Sequence, residues 1–169
     1  MAEDPAGRPL VTRARERPAA PPAGRGFDDT APGGTTLRIR RDAVDEIVAH
    51  ARDAFPDECC GLLVGTPESV ECAVRARNLR EGPARYLIDP ADHFAAIRTA
   101  RDKGLSVVGA YHSHPAGPPF PSETDVAEAT SPAFVYLIVS AGSGREPPVV
   151  RAFRLAPGAI EEVELMAFS

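Results

Sequence analysis

The order of apolar and polar residues predicts an α+β protein, a mixed and largely antiparallel β-sheet flanked by helices. Three observations predict it: strand-like runs recur from residue 37 onward, two stretches between them carry apolar residues at helical spacing behind cap residues, and Gly- or Pro-rich joints separate the units. Taken in order, "LRIR" from Leu37 alternates as a short strand. "DAVDEIVAHARDAF" sets Ala43, Val44, Ile47, Val48 and Ala51 on one helical face, with Asp42 expected as the N-cap. "CCGLLVG", closed by Gly65, and the roughly alternating "SVECAVRARNL" suggest an antiparallel strand pair. "DPADHFAAIRTARDKG" offers a second helix, with Asp89 as cap, Pro90 in first position, Phe94, Ile97 and Ala100 on one face, and Gly104 as the stop. "LSVVGAYHSH" reads as a buried strand, and Ser122 to Ala129 as a short helix after a Pro-rich loop. "AFVYLIVS", "VVRAFRLA" and "AIEEVEL" supply three more strands.

Residues 1–36 differ from this pattern. They hold six prolines, and five arginines balance five acids among scattered apolar residues, so too little surface can be buried to offset ordering entropy. A disordered Pro/Arg-rich tail is expected there, and a folded domain over 37–169. The chain has 169 residues and a net charge of −5, which the folded part carries. That balance, with no Lys/Arg cluster, argues against a nucleic-acid partner. Cys59, Cys60 and Cys72 are an odd number with two adjacent, unlike the paired framework of a small secreted domain. No 18-residue apolar stretch exists, and Glu3 and Asp4 stand where a signal peptide needs a basic start. The expectation is a cytoplasmic protein with no membrane partner.

The chemistry concentrates in "HSHPAGPPFPSETD", residues 112–125. Side chains alternate along a strand, so His112 and His114 project to one face about 7 Å apart, near enough to meet a single ion, while Ser113 points away. Ser122 as a helix N-cap would put Asp125 in the first turn, beside the serine hydroxyl. Two nitrogens and one oxygen leave a fourth position open for water, the arrangement of catalytic zinc. Ser-x-x-Asp is equally a plain capping box, and Glu123 and Glu128 are rival carboxylates. The prolines of "PAGPPFP" stiffen the loop between strand end and helix start. A metal-activated water also needs a base, and Glu58, at the mouth of the buried "CCGLLVG" run, is one candidate among 24 acids.

His-x-His, seven residues, Ser, two residues, Asp resembles the metal-binding signature of the JAMM (MPN-plus) metalloprotease family. "ECCGLLVG" resembles that family's Glu-x-Cys-Gly strand, and "RYLIDP" and "AFVYLIVS" resemble its short bacterial members, so the likeness runs from about Leu37 to the C-terminus. It implies an MPN/JAB-like fold with a cytidine-deaminase-like layout. It further implies Zn2+ bound by His112, His114 and Asp125, Glu58 as general acid/base, and Ser122 as a donor to the tetrahedral oxyanion. The implied reaction is hydrolysis of a peptide or isopeptide bond at the C-terminal Gly-Gly tail of a ubiquitin-like or sulfur-carrier protein, with the tail lying along a sheet edge. The alternative is a non-catalytic scaffold of the same fold, which has no need of the ligand set. A zinc nucleoside deaminase would want His-x-Glu and Cys-x-x-Cys, whereas Cys59 and Cys60 are adjacent. Cys60 and Cys72 are expected to pack as small apolar residues, Cys59 to pack likewise or, standing beside Glu58, to touch the site, and His50 to be solvated.

Overall fold

The computed structural model describes residues 36–80, 85–129, 131–140 and 147–169; the expected tail, apart from Thr36, lies outside the described residues. Among these the elements follow the order read from the sequence. Strand β1 (Thr36–Arg40) leads into helix α1 (Arg41–Ala54), then β2 (Cys60–Thr66) and β3 (Ser69–Ala76), helix α2 (Pro90–Asp102), β4 (Ser106–Ser113), helix α3 (Glu123–Glu128), β5 (Val135–Ser140), β6 (Val149–Ala156) and β7 (Ala159–Phe168).

Helix α1 begins two residues earlier than an Asp42 cap would set it. Arg40 takes the cap position in an extended conformation with no side-chain bond, and Asp42 sits inside the first turn, where its charge faces the helix N-terminal dipole. The 3.6-residue period then buries Ala43, Ile47 and Ala51. Helix α2 is capped as expected: the Asp89 carboxylate accepts the Ala91 N–H at 2.7 Å, and Pro90 follows it. Phe94 departs from expectation. It is 68 % exposed, whereas Ala100 is buried as expected, Ile97 is partly buried, and Ala96 takes the place on the buried face that Phe94 was expected to hold. Gly104 ends the segment at φ 69°, the left-handed conformation that glycine adopts without cost.

The strands form one mixed sheet in the order β1-β3-β2-β4-β5-β6-β7, and β1 also pairs with β7, so the sheet curls round and closes. Pairing is parallel for β1–β3, β1–β7 and β4–β5, and antiparallel for the other four neighbours. One face carries the larger core, where Ile47 and Ala51 of α1 meet Leu63, Tyr111, Leu137 and Val139. The other carries Ala110, Tyr136, Ile138, Phe153 and Leu155, against which Val126 and Ala129 pack at α3. Among the described residues no helix is long and apolar enough to cross a membrane.

Tyr111 is fully buried, and its hydroxyl meets His50 Nδ1 at 2.9 Å. His50 is therefore a half-buried partner of the core rather than a solvated residue, and burial lowers its pKa. The same tyrosine requires Gly61: a Cβ there would fall 2.3 Å from the Tyr111 ring and 2.4 Å from the Val74 carbonyl oxygen. With the ring tied at its far end and the carbonyl part of the ladder, neither neighbour can yield. Gly61→Ala is expected to cost about 2 kcal/mol and lower the melting midpoint by about 7 °C, read by thermal unfolding of the metal-free protein.

Candidate metal centre

Strand β4 ends in the middle of the sheet, flanked on both sides. His112 lies opposite Cys60 of β2 and Ile138 of β5, the Ser113 N–H donates to the Cys59 carbonyl at 3.0 Å, and the His114 N–H donates to the Val139 carbonyl at 2.9 Å. Both histidines are thus held by backbone bonds to neighbouring strands. As the alternation required, Ser113 faces away, its hydroxyl accepting the Cys59 N–H at 2.8 Å. The imidazole Nε2 atoms approach to 3.1 Å, with ring centroids 4.9 Å apart.

Helix α3 brings the carboxylate. Ser122 caps it, its Oγ accepting the Asp125 N–H at 3.2 Å, while Asp125 Oδ2 accepts the Ser122 N–H and hydroxyl, each at 2.7 Å. The capping box and the juxtaposition with the histidines are both present, because the carboxylate has two oxygens. Oδ1 lies 3.3 Å from His112 Nε2, and Oδ2, besides serving the cap, lies 3.5 Å from His114 Nε2. The rival acids do not converge: Glu123 is exposed, and Glu128 ties α3 to Arg80 at 2.9 Å.

One potential ligand atom from each of His112, His114 and Asp125 lies within 4.8 Å of the others. Burial lowers the pKa of His112, so its imidazole stays neutral, the form that binds a metal. Burial works the same way on His114, but the hydrogen bond to Asp125 and the Pro118 carbonyl, 2.9 Å from its Nδ1, raise its pKa overall. For Asp125, burial is outweighed by the hydrogen bonds with both histidines, which hold its carboxyl well below the usual carboxylate range. Two imidazole nitrogens and an ionised carboxylate, with one nitrogen's tautomer set by a carbonyl behind it, suit a divalent ion of zinc's preferences.

Glu58, His114, Pro115, Ala116, Gly117, Ser122 and Asp125 line a cavity of about 200 Å³. Glu58 is only 6 % exposed, and burial pushes its carboxyl up to about 7, with the charge on His114 opposing and that on Asp125 adding to the rise. A carboxyl so placed can hold or release a proton near neutrality. Cys59 lies outside this cavity and packs in the larger core, where burial raises its thiol pKa. The strand that carries the histidines is paired on both sides, with β2 and β5 as its neighbours. Asn78 and Tyr86 also reach the site's surroundings, and neither was singled out from the sequence. Tyr86 stacks on the His112 ring with centroids 4.5 Å apart.

Residues 40–156 match the family model described as prokaryotic homologs of the JAB domain. The chain is 38% identical over 130 residues to a Mycobacterium tuberculosis protein named CysO-cysteine peptidase, covering 75% of this chain and 87% of that one. It is 37% identical over 111 residues to a desampylase of Haloferax volcanii, covering 62% and 80%. Among solved structures, a Desulfitobacterium hafniense protein aligns with a TM-score of 0.71 at 33% identity, covering 79% of this chain and 93% of that one. A JAB1/MPN domain protein from Archaeoglobus fulgidus aligns at 0.54 with 23% identity, covering 80% and 100%, a likeness of fold.

Proposed function

The chain belongs to the prokaryotic JAB-domain family, and from that premise we propose that it is a cytoplasmic zinc metalloprotease of the JAMM type. In this reading the domain over 37–169 hydrolyses a peptide or isopeptide bond at the C-terminal Gly-Gly tail of a ubiquitin-like or sulfur-carrier protein. The observation that carries it is the convergence of His112, His114 and Asp125 to within 4.8 Å, next to the buried carboxyl of Glu58. The two peptidase-type relatives support the reaction class.

His112, His114 and Asp125 would hold the ion. When bound there, zinc supplies the Lewis acidity that makes a water nucleophilic near neutral pH and withdraws electrons from a scissile carbonyl. Glu58 accepts the proton released by that water and returns it to the departing amine, a task suited to a carboxyl raised toward neutrality by burial. Ser122 lines the same cavity, and its hydroxyl, which donates to Asp125 Oδ2 in this structure, would turn to donate to the carbonyl oxygen as negative charge grows there.

Ser122→Ala is expected to lower kcat about a hundredfold while zinc stays bound, because the ligand atoms remain. Metal content beside steady-state rates checks this, and loss of zinc would move Ser122 from catalysis to ligand support. The reading as a whole is tested by incubating the zinc-loaded full chain with ubiquitin-like proteins extended beyond Gly-Gly and measuring intact mass. The expected product is the carrier ending in Gly-Gly. Stoichiometric zinc with no cleavage of any such conjugate would favour the scaffold alternative.

A further inference from the structure

The two histidines are steadied in different ways. His114 Nδ1 faces the Pro118 carbonyl at 2.9 Å, a hydrogen bond that fixes both its tautomer and its ring plane. His112 is 1 % exposed, and its Nδ1 is buried with no hydrogen-bond partner among the described residues. A metal-ligating imidazole ordinarily relies on such a partner for its orientation. What His112 has instead is a flat wall, the Tyr86 ring, lying 4.5 Å away between centroids and inclined by 20°. Swinging the imidazole about its Cβ–Cγ bond would drive its edge into that ring.

Tyr86 sits in the segment between β3 and α2, and the residues on either side of it are held by one side chain. Asn78 donates through Nδ2 to the Arg85 carbonyl at 3.3 Å and accepts through Oδ1 from the Leu87 N–H at 2.9 Å. The same Nδ2 donates to the Glu58 carbonyl at 3.0 Å, and the same Oδ1 accepts the Arg80 N–H at 3.0 Å. Those four bonds use the full capacity of a primary amide. The Leu79 N–H, bonded to the Leu87 carbonyl at 2.8 Å, and the bridge between Asn78 and Ile88 close the segment on itself.

We propose that Tyr86 is the positioning residue for His112, its stacked ring replacing the missing hydrogen bond at Nδ1, and that Asn78 fixes both this ring and the backbone of Glu58. The inference rests on the metal-binding reading above. The stack keeps the Nε2 lone pair directed toward His114 and Asp125, and a ring free to rotate spends part of its time facing elsewhere, which lowers affinity for the ion by the fraction of time lost.

The test is a zinc titration of the metal-free full chain against a chromophoric chelator, with the visible absorption of Co2+ as a second reading of ligand geometry. Tyr86→Phe keeps the stack and is expected to bind zinc within about threefold of the unmodified chain. Tyr86→Leu fills space without a flat face and should weaken zinc binding about tenfold to a hundredfold and alter the Co2+ spectrum. Asn78→Asp puts an oxygen where Nδ2 donates to two carbonyls, and it should shift zinc affinity in the same direction with Tyr86 unchanged. A purely structural role for Tyr86 would lower the melting midpoint of the metal-free Leu variant and leave zinc affinity alone, overturning the inference. An unmodified chain that retains no zinc would overturn the metal reading and this inference together. A chain that binds zinc well, with a Leu variant that binds it equally, overturns the role of Tyr86 alone.

Discussion

Glu58→Gln is expected to bind zinc at the stoichiometry of the unmodified protein, to melt no lower when metal-free, and to lose activity by a factor on the order of a thousand. The amide has the size of the carboxyl and removes only its proton chemistry. Stability should not fall, and the sign can be followed from the pKa. Burial raises the Glu58 carboxyl from 4.5 to about 7, so ionising it in the folded state is unfavourable, and that penalty grows as pH rises from the unfolded value toward 7. Glutamine never incurs it. The rate of the unmodified enzyme should rise with pH as Glu58 ionises, and a cation held by His112, His114 and Asp125 pulls the midpoint of that limb to about 7 or below. Residual activity in the variant should lack the limb. Cleavage rates followed across pH, with zinc measured on the same samples, check both points, and undiminished cleavage would remove Glu58 from the mechanism.

Asp125→Ala should produce the other large effect, a fall in zinc affinity of more than about a hundredfold and with it the loss of hydrolysis. The substitution removes one of three ligands. It also leaves the Ser122 N–H and hydroxyl without the oxygen they share and costs α3 part of its cap, about 1 kcal/mol. Asp125→Asn separates the two roles. It keeps an oxygen for the cap but gives up the charge, so α3 should persist while zinc is lost. Elemental analysis of both variants, with circular dichroism for the helix, reads the outcome; zinc retained by the Ala variant would exclude Asp125 as a ligand.

What the sequence made legible was whatever a periodic or short-range rule encodes. His112 and His114 share a face because strands alternate, and Ser122 and Asp125 meet because a first helical turn closes over three residues. Asp89 and Pro90 begin α2 for an equally local reason. The misread positions depend on what lies across the fold. Phe94 satisfies a helical period yet faces solvent, since the side of α2 that meets the sheet is set by tertiary packing, which buries Ala96 along with the expected Ala100. His50 appeared solvated until folding placed the Tyr111 hydroxyl, 61 residues away in sequence, against it. Sheet closure was hidden too, because pairing of β1 with β7 joins the two ends of the domain and leaves no local signature. Tyr86 and Asn78 lie 26 and 34 residues from His112 by number, and no spacing rule connects a stacking ring to the imidazole it steadies.

In Asp125 a single carboxylate both starts a helix and faces two imidazoles. A six-residue helix has little intrinsic tendency to form, and the Ser122–Asp125 capping box, with the packing of Val126 and Ala129, helps this turn to order before an ion arrives. With the cap in place, the entropy of ordering is met during folding, and the ion encounters an assembled receptor. The carboxylate therefore serves folding and ion capture at once, and the two uses ask different things of it: glutamate would still complete the capping box at this position, but its longer side chain would displace the oxygens that face His112 and His114.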